Sequence, residues 1–71
     1  MTHEELYKKF CNWSPGHANR VTEYRPWGKT SIVVWLTNGM AYKVKYIDDS
    51  HFIMQMLTEE DIKKKYGEIH E

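Results

Sequence analysis

The sequence predicts an α+β fold: a four-stranded antiparallel meander sheet with an N-terminal and a C-terminal helix, in the order α-β-β-β-β-α. Three observations carry that expectation. Capping signatures stand near both ends, at Thr2 with Glu5 and at Thr58 with Asp61. Between them lie runs of β-branched and aromatic residues of strand length. Asn38-Gly39, between the two clearest runs, supplies the positive φ that a tight hairpin turn needs.

The first helix is expected from about His3 to Cys11. Leu6, Phe10 and Trp13 recur at i, i+4 and i+7 and form one apolar stripe, with Glu4, Lys8 and Lys9 on the wetter side. Ser14-Pro15-Gly16 reads as its stop, because proline disfavours helix in the residue before it. Val21 to Arg25 reads as the first strand and Pro26-Trp27-Gly28-Lys29 as the turn that follows. Thr30 to Thr37 is the strongest strand, Met40 to Tyr46 runs back, Asp48-Asp49 turns, and His51 to Met56 is the fourth strand. In the last helix Glu59, Glu60 and Asp61 precede Lys63, Lys64 and Lys65, an order that complements the helix dipole. Ile62, Tyr66 and Ile69 keep helical spacing, and Gly67 reads as a C-terminal stop before Ile69.

The hairpin poses a question of register. Met40, Tyr42, Val44 and Tyr46 alternate with Ala41, Lys43 and Lys45, whereas Ile32 to Leu36 is apolar on both sides. A two-residue turn at Asn38-Gly39 pairs Trp35 with Tyr42. A Thr37-Asn38-Gly39 turn closed by a glycine bulge pairs Leu36 with Met40 and Val34 with Tyr42. The bulged turn is favoured because it gathers Ile32, Val34, Leu36, Met40, Tyr42, Val44, Phe52, Met54 and Met56 on one face. Val33 and Trp35 then lie on the other face, with Lys43 and Lys45 beside them. That face is a candidate contact surface, with Trp27 on the first loop as a second anchor. The alternative is that a helix, or the Trp27 loop, folds over it.

Length and composition bound the function. The chain has 71 residues, 41% of them hydrophobic and 28% charged, which fits one domain spanning 1–71 with one core. Ten basic residues balance ten acidic ones, so no strong basic field points to nonspecific nucleic-acid binding. The lone Cys11 fits a reducing compartment, and the N-terminus shows neither a leader pattern nor a lipidation motif, so a cytoplasmic protein is expected. His3, His17, His51 and His70 are scattered, and the glycines fall at separate turns, so no metal, cofactor or phosphate-loop pattern is read. No catalytic constellation is read either.

Phe10-x-x-Trp13-x-Pro15, Tyr24-x-Pro26-x-Gly28 and Ser31 to Gly39 together resemble small uncharacterised reading frames of Gram-positive bacteriophages and prophages. The resemblance implies a compact accessory protein, such as an inhibitor, that binds a host or phage macromolecule in the host cytoplasm. It assigns no activity and no site residues. The expectation is a non-enzymatic protein-interaction module without cofactor. Its partner is a host defence or replication protein, or a second copy of the chain, met through Trp35, Val33, Lys43, Lys45 and Trp27. Single-stranded nucleic-acid binding through the same face is the alternative, and a nucleotide held between subunits the third reading.

Overall fold

The computed structural model describes residues 1–67, so Ile69 and His70 lie outside the described residues. It has α1 (His3–Trp13), α2 (Pro15–Ala18), β1 (Val21–Gly28), β2 (Ser31–Leu36), β3 (Ala41–Asp48), β4 (His51–Leu57) and α3 (Glu59–Gly67). The strands form one antiparallel sheet in the order β1-β2-β3-β4, the α+β meander expected.

Both capping signatures are realised. The Thr2 hydroxyl accepts the Glu5 N–H at 3.1 Å while the Glu5 carboxylate accepts the Thr2 N–H at 3.2 Å. Thr58 and Asp61 repeat the exchange at 3.2 and 3.0 Å. Two local readings are corrected. Ser14-Pro15-Gly16 does not simply end a helix, because Pro15 opens the one-turn α2, where its missing N–H costs no hydrogen bond. Pro26, Trp27 and Gly28 belong to β1 rather than to a turn, which shrinks to Lys29-Thr30.

The hairpin takes the bulged form. Leu36 N–H donates to Met40 O and Gly39 N–H to Leu36 O, both at 2.9 Å, with Gly39 at φ 84°. Val34 faces Tyr42 and Ile32 faces Val44. The face expected to be core is core through Ile32, Val34, Leu36, Val44 and Phe52, which Leu6 and Phe10 of α1 bury, with Tyr42 and Met54 partly buried against them. Met56, also expected there, is instead exposed on the edge strand. Tyr7 stacks on Tyr24 at 4.0 Å near one edge, and Trp13 meets Phe52 at 4.9 Å near the other, so α1 crosses the sheet from β1 to β4. Lys9 Nζ reaches Asp49 at 2.9 Å and fixes the helix to the β3–β4 turn.

The opposite face is covered by α3. The helix starts beside Leu57 on β4, and Tyr66 near its end donates a hydrogen bond to Pro26 O on β1 at 2.9 Å. It therefore spans the full width of the sheet. Beneath it runs the cross-strand row Arg25, Val33, Lys43, Gln55. With helices on both sides, β2 is buried on both of its faces, which is why its sequence has no wet side.

Candidate functional site

The expected contact residues part company in the structure. Val33 is 0% exposed, so it is core rather than contact surface: α3 crosses its face, and the stems of Arg25 and Lys43 flank it. Trp35 is half-buried, with the Arg25 guanidinium 6.0 Å from its ring centre. Lys45 is exposed opposite Ile53, away from the helix. Trp27 and Lys43, named from unrelated parts of the sequence, come together in one cleft.

That cleft, about 350 Å³, opens between α3 and the sheet and is lined by Trp27, Lys43, Gln55, Leu57, Asp61, Lys64 and Lys65. Pairing across the sheet sets its floor, since Lys43 and Gln55 face each other on β3 and β4. Trp27 forms one wall from the end of β1, and its ring meets Tyr66 edge-on at 5.9 Å. The other wall is α3. Helical spacing places Asp61, Lys64 and Lys65 on its cleft-facing side.

Three ammonium groups therefore face one carboxylate. The carboxylate is itself engaged: Thr58 N–H and Oγ1 both donate to Asp61, which holds its carboxyl below the usual range and keeps it ionised. Among the described residues, Lys43, Lys64 and Lys65 make no ion pair. Lys65 instead rests its ammonium 5.6 Å from the Trp27 ring centre. Partial burial raises the Tyr66 hydroxyl above its ordinary value, with Arg25 opposing and Glu23 reinforcing, so it stays a neutral donor to Pro26.

The chain matches no protein-family model, no curated protein and no solved structure. Among the described residues no group of three or more His, Cys, Asp or Glu side chains could hold a metal, and no helix is long and apolar enough to cross a membrane. The neighbour of Cys11 is the Tyr7 hydroxyl, which burial and the Cys11 thiol push up, while His17 Nδ1 bonds Ser14 Oγ at 2.6 Å within the start of α2.

Reading the sequence missed Gln55, Leu57, Asp61, Lys64 and Lys65 as cleft residues. The lysines read as a solvated face complementing the dipole. The signal that could have found them is the Ile62-Tyr66 stripe, which must bury itself somewhere. The face under α1 was already supplied with Leu6 and Phe10, leaving Val33's side as the available surface.

Proposed function

We propose that this protein is a non-enzymatic interaction module that binds an acidic segment of a partner protein in the cleft between α3 and the sheet. The observation that carries the reading is the set of three lysines, unpaired among the described residues, around the Trp27 wall. Such a wall gives an apolar anchor, and the ammonium groups give charge complementarity and orientation. The resemblance to phage reading frames supports a host macromolecule as the target, with the protein acting as an accessory or inhibitor in the host cytoplasm. Single-stranded nucleic acid is the weaker reading. Base stacking needs an open aromatic face, and the Trp27 ring already carries the Lys65 ammonium near it and Tyr66 packed perpendicular to it.

The test is titration with acidic peptides and, in parallel, short oligonucleotides, following the Trp27 indole N–H by NMR. The expected result is peptide binding that weakens with salt and is lost in Lys43→Glu and Lys64→Glu, with the fold of each variant checked by circular dichroism. Binding of oligonucleotide alone would replace the reading with the nucleic-acid one. A Trp27 signal unmoved by any peptide would end it.

A further inference from the structure

The two edges of the sheet are built differently. On β2 two ladder bonds fix the parity of the whole sheet: Leu36 N–H donates to Met40 O, and Tyr46 N–H donates to Thr30 O at 3.0 Å. Residues 32, 34 and 36 therefore direct their backbone groups to β3, and residues 31, 33 and 35 direct theirs to β1. On β3 it follows that Ala41, Lys43 and Lys45 bond to β4, where they meet Leu57, Gln55 and Ile53. The backbone N–H and C=O groups of Phe52, Met54 and Met56 consequently point outward, away from the sheet.

By the same parity, Tyr24 and Pro26 point outward from β1. That edge is closed to pairing by several devices. Pro26 has no N–H to offer, its carbonyl is taken by Tyr66, the register shifts on either side of Glu23 to Pro26, and Glu23 and Arg25 add charge. From Phe52 onward the β4 edge has none of them. His51–Leu57 contains no proline, lysine, arginine, aspartate or glutamate, and its register with β3 is unbroken from Phe52 to Leu57. Ile53 and Met56 are 53% and 58% exposed, on opposite faces of the strand. Among the described residues no strand pairs with this edge.

We propose that the β4 edge pairs with β4 of a second copy of this chain, joining two sheets into one of eight strands. The strand is self-complementary about a two-fold axis at Met54. Antiparallel pairing sets Met54 against the partner's Met54, and Phe52 and Met56 against the partner's Met56 and the partner's Phe52, which uses every outward backbone group of the three residues. No like charges meet, because Ile53 faces the partner's Gln55 and His51 faces the partner's Leu57. On the α1 side, the partner's Met56 arrives beside Phe52, whose ring packs against the half-exposed Trp13, a contact suited to a thioether. A second copy is the occupant because the strand matches its own reverse about Met54 in hydrogen-bonding parity and, at the outward positions Phe52, Met54 and Met56, in size and polarity. This inference is independent of the cleft and its ligand.

Sedimentation equilibrium combined with amide hydrogen exchange tests it. The expected result is a doubling of mass with rising concentration, accompanied by at least about tenfold slower exchange at the Phe52, Met54 and Met56 amides. Ile53 and Gln55 amides, already bonded to β3, should be slow throughout. The double variant Ile53→Lys, Met56→Lys changes two exposed positions, so the sheet should form as before by circular dichroism while the mass stays that of a monomer. A wild-type monomer at all concentrations would overturn the proposal. So would a dimer whose Phe52, Met54 and Met56 amides exchange freely.

Discussion

The two faces of the sheet share strand β2 yet are finished in different ways. Under α1 the interface is apolar and aromatic. Leu6 and Phe10 meet Ile32, Val34, Leu36, Val44 and Phe52, and the aromatic rings of Phe10, Trp13, Phe52 and Tyr46 interlock at 4.9 to 6.4 Å. On the α3 side the buried residues are smaller, Val33 with Ala41 and Ser31. Arg25, Lys43 and Gln55 beside Val33 end in polar groups, and α3 is capped at its start by Thr58 and fastened to β1 near its end by Tyr66. The difference comes from β3, whose alternation puts Tyr42 and Val44 on one side and Lys43 and Lys45 on the other. An apolar central strand thus has one face committed to stability, while its second face keeps enough polar rim to leave a cleft.

Substitutions that act on one face at a time would break or sharpen this contrast. The largest effect is expected from Phe10→Ala, since Phe10 is 0% exposed at the centre of the α1 interface. A loss of about 3–5 kcal/mol in urea unfolding is expected, most of what a domain this small holds. Val33→Ala on the opposite side should cost about 2 kcal/mol. A negligible cost would mean that α3 does not pack its face. Tyr66→Phe removes one hydrogen bond to Pro26 and should cost about 1 kcal/mol. Its signature is local: faster amide exchange in α3, with α1 unchanged.

The smallest effect should come from acid. Lys9 and the Tyr46 hydroxyl hold Asp49 below the usual carboxylate range on the α1 side, and Thr58 does the same for Asp61 on the α3 side. A depressed carboxyl binds fewer protons folded than unfolded. Its contribution is present above the ordinary carboxylate pKa, near 4, and is lost as pH falls through the depressed folded value. The urea midpoint should therefore fall modestly in that range. Asp49→Asn and Asp61→Asn should each flatten the dependence, and because both groups are exposed, neither should abolish folding.

Much of the fold could be read from the sequence because its signals are local. The Thr2 and Thr58 caps, the bulge at Thr37-Asn38-Gly39 and the alternation along β3 each depend on residues close in the chain. Pro26 misled because proline usually interrupts strands. It is tolerated here because its missing N–H faces the outer edge of β1. The site was legible only in part. Trp27 and Lys43 could be named from the sequence, but their meeting with Lys64 and Lys65 depends on which face α3 crosses, and spacing within the helix does not encode that. Val33 was misplaced for the same reason, since a valine on an open face and one under a helix look alike in sequence.

The meander has a kinetic consequence. Every strand pairs with its neighbour in sequence, so the sheet can grow hairpin by hairpin with short loops to close. The side-chain hydrogen bonds that fasten the helices reach much further. Lys9 to Asp49 and Tyr66 to Pro26 each span 40 positions. The later of these closures can form only when the strand at its far end is in place, so the sheet is expected to assemble first and the two helices to dock last. Phe10→Ala and Val33→Ala should accordingly raise the unfolding rate more than they lower the folding rate.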